Sequence, residues 1–166
     1  KKNQIAIYNE GNHRGLVRGL VIRHSESTGE ILVGMITNEG RFPRNFLVEL
    51  TEEKKLKEIG IVGIIQNINP RATNVILGKE NKLLWGKERL TEKLAGLSFH
   101  LSLGSFFQIH SAQTLRLYDL IDNWANAAGD KTVVDAYSGS GGIALWLAAK
   151  GKKVIAIEPF KPAMED

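Results

Sequence analysis

The chain has 166 residues, with 22 Lys and Arg against 18 Asp and Glu, and therefore a formal net charge of +4. This mild basic balance permits a nucleic-acid partner but is equally typical of solvated charged faces. The sequence contains no cysteine, which excludes disulfides, thiolate metal sites and a cysteine nucleophile within these residues, and no metal site is predicted. No apolar run reaches about 18 residues, so we expect a cytoplasmic protein without a membrane span.

The first part of the chain predicts a β-hairpin, a helix and a third strand. Residues 16–24 (LVRGLVIRH) and 31–37 are rich in β-branched and apolar residues, and a glycine-containing turn separates them. Residues 45–59 carry apolar side chains at helical spacing and predict one amphipathic helix that is ended by a glycine. Residues 61–68 then predict a third strand. This order indicates a small α+β unit.

Basic residues cluster around the predicted hairpin: His13, Arg14, Arg18 and Arg23. Charges along a strand edge discourage aggregation, which is one explanation of the cluster. Arginine also pairs with phosphate in a bidentate manner and stacks on bases, so Arg14, Arg18 and Arg23 are candidates for RNA contacts. Both interpretations stay open at this point.

The middle of the chain is less regular. The asparagines around Pro70 are interpreted as turn formers. Short strands are predicted at residues 75–77 and 82–85, with Gly78 in the turn between them, and a further strand is predicted at residues 97–101.

The next segment, SLGSFFQIHSAQ, differs from its surroundings. Phe106 and Phe107 are predicted to be a buried anchor, whereas Gln108 and His110 are polar residues in an otherwise apolar stretch. A serine then precedes a predicted helix over residues 112–126.

The last part of the chain predicts a β-α-β unit. Residues 132–135 form a β-branched strand that ends in an acid, and residues 138–142 are a loop of glycines and serines. A helix over 143–149 and a second strand over 154–157 follow, with Glu158 at the carboxyl end of that strand. In open α/β sheets, ligands bind beyond the carboxyl ends of the strands.

Two classes of cofactor bind to β-α-β units with a glycine loop of this kind. Gly139, Gly141 and Ala144 imitate the G-x-G-x-x-A pattern of dinucleotide sites, in which a pyrophosphate binds the helix N-terminus. Here, however, the strand ends in Asp135, and a longer loop follows. D-x-Y-x-G-x-G with an acid after the next strand resembles the motif of methyltransferases that use S-adenosylmethionine (SAM). A dinucleotide site and a purely structural glycine turn remain as alternatives.

Four motifs together resemble the RNA (uracil-5-)-methyltransferase family: HRGLVRGLVIR, IIQNINPRATNVILG, LSFHLSLGSFFQIHSAQ and DAYSGSGGIALWLA. The resemblance implies an α+β central domain over residues 1–103, in contact with RNA. It further implies that residues 104–166 are the first part of an α/β Rossmann-like SAM methyltransferase domain. The family makes 5-methyluridine in 23S ribosomal RNA or in tRNA, and we expect ribosomal RNA. We also expect a monomer.

The resemblance also assigns cofactor-binding residues. Gln108 matches a glutamine that contacts SAM, and Tyr137 matches an aromatic residue that lines the cofactor. Gly139 and Gly141 match the loop glycines, and Glu158 matches the acid that accepts both ribose hydroxyls. The chain departs from the family at three positions. His110 stands where the family usually has asparagine, Ser138 where it has cysteine, and Gly142 where it has threonine or asparagine. These departures affect the detailed geometry expected for the loop, but not its class.

The family's catalytic groups have no counterpart in this chain. We expect its cysteine nucleophile and its glutamate base to lie beyond Asp166, so that the chain is an inactive fragment of a longer enzyme. The alternative is a stand-alone RNA-binding module with a degenerate cofactor pocket. Tight, salt-sensitive RNA binding without dependence on SAM is typical of such a module.

Overall fold

The computed structural model describes residues 5–127, 129 and 132–166. The chain forms two compact units, Lys1–Leu90 and Thr91–Asp166, which we describe one at a time. The domain limits predicted from the resemblance, 1–103 and 104–166, stay a prediction. Within the described residues, no helix is both long enough and apolar enough to cross a membrane.

The first unit is built on a four-stranded mixed sheet in the order β1-β2-β3-β4. Its strands are β1 (Val17–His24), β2 (Ile31–Thr37), β3 (Ile61–Ile68) and β4 (Glu80–Gly86). The β1–β2 and β3–β4 pairs are antiparallel, whereas β2 and β3 run parallel. The predicted hairpin and third strand are confirmed. The two inner strands are largely buried, which explains why their sequences are apolar at successive positions.

Two short helices connect β2 to β3, where the sequence predicted one. They are α1 (Arg44–Leu50) and α2 (Glu53–Glu58). The Thr51 hydroxyl donates to the Leu47 carbonyl oxygen at 2.7 Å, which competes with helix propagation. Glu52 is then extended, with ψ of 95°, so the helical path breaks there.

These helices cover one face of the sheet. The buried cluster comprises Met35, Phe42, Leu56 and Ile64. Phe46 packs on Phe42, with their ring centroids 5.2 Å apart. Ile59, which a single helix would have placed on the buried face, is exposed, because the break changes the phase of the second helix.

The strand predicted just before Gly78 is wrong. The buried Asn69 side chain donates from Nδ2 to the carbonyl oxygens of Val75 at 2.6 Å and Ile76 at 3.0 Å. Asn67, also buried, accepts from the Gly78 amide at 2.7 Å and donates to its carbonyl at 3.1 Å. These asparagines therefore shape the loop from inside the protein rather than merely forming turns.

The second unit contains the predicted β-α-β unit. Its elements are β5 (Leu90–Leu94), which begins at the last residue of the first unit, β6 (Leu97–Leu101), α3 (Ser111–Ala127), β7 (Val133–Ala136), α4 (Gly142–Ala149), β8 (Val154–Ile157) and α5 (Lys161–Met164). β7 and β8 pair in parallel, as predicted. β5, which pairs with β6, was not predicted, because three polar residues interrupt its apolar pattern.

An ion-pair network joins α3 to the end of α4. Lys150 Nζ lies 3.0 Å from Asp119 Oδ1 and 3.1 Å from Asp122 Oδ2. Lys152 Nζ lies 3.6 Å from the other Asp122 oxygen. The hydrogen bond from Lys150 lowers the pKa of Asp122 below its ordinary value, against the opposing effect of burial.

Replacing Asp122 by asparagine should therefore change how stability depends on pH. Because the folded-state pKa of Asp122 is depressed, its contribution is present above the unfolded value of 3.8 and is lost as pH falls through the folded value. We expect Asp122→Asn to lower Tm at pH 7, with a difference from wild type that vanishes in acid. Thermal unfolding from pH 7 to 2.5 measures this, with Glu88→Gln, at an exposed glutamate of the first unit, as control. A difference in Tm that is constant over this range would contradict it.

Candidate cofactor site

The site lies at the carboxyl ends of β7 and β8, where Asp135 pairs with Ala156 in the parallel register. A cleft of about 290 Å³ opens here, bounded by the glycine loop, Phe99, Glu158 and the helix α5. Since both strands end at the same edge, side chains that follow them converge on one place.

Glu158 holds the glycine loop. Its Oε2 accepts a hydrogen bond from the Gly139 amide at 2.8 Å, and its Oε1 accepts one from the Phe160 amide at 2.7 Å. A carboxylate has about four acceptor positions, so two such bonds leave capacity for a ligand's hydroxyls. The predicted ribose acid thus lines the cleft and also fixes the turn beside it.

The loop backbone requires its glycines. Gly139 and Gly141 have φ of 57° and 78°, in the left-handed region that residues with a Cβ adopt only at a cost. Tyr137 also has a positive φ, 64°, without being glycine, and its side chain is 83% exposed. Such strain concentrates at functional sites, so Tyr137 remains a candidate for contacting the cofactor.

Asp135 occupies the amino-terminal end of α4. Its Oδ2 accepts a hydrogen bond from the Ala144 amide at 3.1 Å. Burial raises the pKa of Asp135, and the bond from Ala144 partly offsets this. A dinucleotide would place its pyrophosphate at this helix end. A carboxylate that already caps the helix would repel it, which argues against the dinucleotide alternative.

A buried tyrosine from α3 packs beneath the glycine loop. Tyr118 is 3% exposed, and burial, together with the Asp135 carboxylate, raises its pKa. A Cβ at Gly142 would lie 2.2 Å from the Tyr118 hydroxyl oxygen and 3.3 Å from Cζ. Position 142 is therefore glycine because the tyrosine hydroxyl fills the space of a side chain.

We expect Gly142→Ala to destabilise the protein and Tyr118→Phe to relieve that effect. The alanine methyl collides with the hydroxyl oxygen, and overpacking of this kind costs about 1–3 kcal/mol. With phenylalanine at 118, the nearest ring atom lies at 3.3 Å, a tight contact that requires only a shift of a few tenths of an ångström. Thermal unfolding of both single variants and the double variant forms a cycle that isolates this contact. Strictly additive effects would show that the two positions do not interact.

The segment before α3 borders the glycine loop. The Ser140 hydroxyl donates to the Phe106 carbonyl oxygen at 3.4 Å. The Phe107 ring packs on Phe99 with centroids 5.0 Å apart, but Phe106 is 70% exposed. The prediction that both phenylalanines are buried is therefore wrong for Phe106. Adjacent residues of an extended segment point to opposite sides, so Phe107 can be packed inside while Phe106 faces outward.

The five predicted cofactor residues differ in how the structure places them. Gly139, Gly141 and Glu158 line the cleft. Among the described residues that line it, neither Gln108 nor Tyr137 is found, although each lies on a segment beside the loop. Their contacts with the cofactor stay a prediction.

A wall of the cleft that the sequence did not predict comes from Asp166. Its Oδ2 accepts hydrogen bonds from the Ser102 amide at 2.9 Å, the Ser102 hydroxyl at 3.0 Å and the Ser105 hydroxyl. Its carbonyl oxygen accepts from the His100 amide at 3.3 Å. These bonds join the end of β6 to the residues after α5. No local pattern could have predicted them, because the partners lie more than 60 residues apart.

The three candidate RNA-contacting arginines, all in the first unit, are not brought together. Arg18 Nη1 donates to the carbonyl oxygens of Asn69 and Arg71, both at 2.6 Å, and its guanidinium lies 4.4 Å over the Tyr8 ring. Arg14 is exposed in the preceding turn. Arg23 lies five residues after Arg18 along β1, roughly 16 Å away in an extended strand. Arg18 therefore has a structural role, and RNA contacts by all three stay a prediction.

Comparisons with known proteins find relatives that are named RNA methyltransferases. No protein-family model matches it. It is 45% identical to a protein of Lactobacillus johnsonii named an uncharacterized RNA methyltransferase, covering 100% of this chain and 36% of that protein. A protein of the same description from Oceanobacillus iheyensis is 40% identical, covering 99% and 36%. The chain thus spans about a third of the length of these relatives.

A solved structure is also similar to the chain over nearly all of its residues. It is the tRNA (uracil-54, C5)-methyltransferase of Pyrococcus abyssi in complex with S-adenosyl-L-homocysteine. The TM-score is 0.79 at 26% sequence identity, and the match covers 99% of this chain and 38% of that one.

Proposed function

We propose that this chain is part of an enzyme that methylates C5 of uridine in RNA with SAM as the methyl donor, because it matches proteins named RNA methyltransferases over nearly all of its residues. The observation that carries the proposal is the hydrogen bond from the Gly139 amide to Glu158, which brings the glycine loop and the acid together at one cleft. The resemblance to RNA methyltransferases drawn from the four motifs is confirmed by these relatives. The uracil-C5 specificity is supported by the Pyrococcus relative.

The cofactor follows from the site and the relatives together. The Pyrococcus enzyme holds S-adenosyl-L-homocysteine, which is SAM without its transferable methyl group. In this chain, we propose that Glu158 accepts the ribose hydroxyls and that the left-handed Gly139 and Gly141 let the backbone approach the cofactor. SAM carries no phosphate, so the Asp135 carboxylate at the end of α4 does not oppose it. Gln108 and Tyr137 are proposed as further contacts.

SAM supplies an electrophilic methyl group when it is bound. Uracil C5 is a poor nucleophile, and the family resemblance implies that a cysteine thiolate adds to C6 to activate it. Bound SAM would supply the methyl group to C5 with cleavage of its methyl–sulfur bond and release of S-adenosyl-L-homocysteine, after which a carboxylate would take the C5 proton and the thiolate would leave. Since the chain has no cysteine, we propose that the nucleophile comes from outside these 166 residues. The role of this chain is to bind and orient the cofactor. It also borders the place where the uracil base enters.

The RNA substrate is tested with ribosomal RNA first, as the amino-terminal hairpin led us to expect, and with tRNA second, since the Pyrococcus relative is a tRNA methyltransferase. The intact protein is incubated with SAM labelled in its methyl group and with RNA from a strain that lacks the gene. We expect label in RNA, and mass mapping should place it as 5-methyluridine. Labelled protein-bound SAM without any transfer to either RNA, under conditions in which the RNA binds, would overturn the proposal.

A stand-alone RNA-binding module is the second candidate, and the absent cysteine favours it. It predicts RNA binding that falls steeply with salt and is indifferent to SAM. Calorimetric titration of SAM separates the two functions, because a degenerate pocket would not bind the cofactor.

A further inference from the structure

An open groove of about 360 Å³ lies in the first unit, between β1 and the loop that follows Asn69. Its lining includes Arg18, Gly19, Thr73, Asn74, Val75 and Ile76, and we call it the Gly19 groove. This volume is within the range of sites that hold small ligands. We propose that the Gly19 groove receives one unpaired base of the RNA substrate. The inference rests on the proposed function for its RNA, but it concerns a surface away from the cofactor residues.

Gly19 is the first reason. It lies in β1 at a shift of register between Val17 and Gly19, and it does not have a positive φ. No heavy atom of the described residues lies within 4 Å of the place where its Cβ would be. Glycine in a strand marks a bulge or a place where a ligand approaches closely. The bulge and the open space beside it leave room for an occupant of the groove at this position.

The construction of the facing loop is the second reason. Asn69 from inside the protein and Arg18 from β1 hold its backbone through four hydrogen bonds of 2.6–3.0 Å. Yet the side chains of Val75 and Ile76, two adjacent β-branched residues in this loop, are exposed. Buried polar groups thus fix a loop whose own apolar side chains face solvent. Such preorganisation favours binding, because the ordering cost is met during folding.

The chemistry of the walls fits a base. Val75 and Ile76 offer apolar contact to its face, and the Arg18 guanidinium, whose carbon lies 4.4 Å from the centroid of the Tyr8 ring, is a plane of the kind on which RNA bases stack. The Asn74 amide makes no hydrogen bond among the described residues, so its donors and acceptor can read a base edge. Arg71, exposed on the same loop, offers a cation for the phosphate. These groups match the face, the edge and the phosphate of a nucleotide better than they match the repeated N–H and C=O groups of a peptide backbone.

The test adds a side chain where the glycine is. In the intact protein, Gly19→Val should weaken binding of a labelled 23S ribosomal RNA or tRNA transcript by roughly tenfold, since it displaces a stacked base. Gly19→Ala should have a smaller effect. Neither should lower Tm or SAM affinity, because valine suits a strand and has room there. Val21→Ile, on the same face of β1 but outside the groove, is the control.

Asn74→Ala gives a second, independent variant, since an exposed loop side chain can be removed without loss of folding. It should weaken RNA binding several-fold at unchanged Tm. If wild type transfers methyl groups to RNA while Gly19→Val and Asn74→Ala bind that RNA as wild type does, the groove inference fails and the proposed function stands. If wild type binds RNA without transferring methyl groups, the proposed function fails, and the two variants still decide the groove. RNA that binds neither wild type nor variants overturns both.

Discussion

Replacing Glu158 by alanine is expected to weaken SAM binding at least about tenfold while leaving RNA affinity nearly unchanged. A hydrogen bond to a charged acceptor contributes about 1.5–3 kcal/mol, and 1.4 kcal/mol already corresponds to a factor of ten. Two ribose hydroxyls would each donate such a bond. Calorimetric titration of SAM into the intact protein measures the difference.

The structure adds a second consequence to this substitution. Glu158 also accepts from the Gly139 and Phe160 amides, so its removal frees the turn of the glycine loop. Glu158→Gln retains one acceptor oxygen and can satisfy one of these amides, while its NH₂ group faces the other. We therefore expect the glutamine variant to be intermediate in SAM affinity. We also expect a small loss of Tm in both variants.

Glu88→Ala is the matched control, because Glu88 is an exposed glutamate of the first unit. It should leave both SAM affinity and Tm unchanged. Equal SAM affinities in wild type and both Glu158 variants would end the assignment of Glu158 to the ribose. A fall in Tm with unchanged affinity would reduce Glu158 to a structural clamp of the loop.

Local signals were sufficient for the elements that position this site. The strand, the glycine loop, α4 and the acid after β8 follow one another within a short stretch, so their order and spacing predicted the β-α-β unit and the place of Glu158. The break between α1 and α2 was missed because it lies at Thr51 and Glu52, where a local bond from the Thr51 hydroxyl and the extended backbone of Glu52 leave the apolar spacing unchanged. Helical spacing of apolar residues continues across such a break and does not reveal it.

Contacts between distant residues explain most of what the sequence did not predict. Arg18 holds backbone carbonyls more than 50 residues away, so a sequence pattern could assign it only to a charged edge or to RNA. Tyr118 explains Gly142, but the two meet only when α3 packs on α4. The exposure of Phe106 likewise depends on a distant residue. The Phe99 ring packs on Phe107 and not on the adjacent Phe106, and the sequence does not reveal this choice.

Phe106 gives the other large expected effect. Its side chain is 70% exposed, and its carbonyl oxygen accepts from the Ser140 hydroxyl of the glycine loop, so the exposed ring lies on a segment that borders the cofactor cleft. We expect it to stack on an RNA base beside the cofactor cleft, which would contribute about 1–3 kcal/mol. Phe106→Ala should therefore lower kcat/KM for RNA by about tenfold or more, at unchanged SAM affinity and Tm.

Two further variants separate stacking from simple packing. Phe106→Tyr keeps the ring and should retain most of the activity, whereas Phe106→Leu keeps apolar area without a ring and should fall close to alanine. Trp124→Ala removes another exposed aromatic residue, on α3, and should leave kcat/KM for RNA unchanged. If Phe106→Ala instead lowers Tm and spares kcat/KM, the ring is an anchor of the fold after all. The exposed position would then have no part in binding RNA.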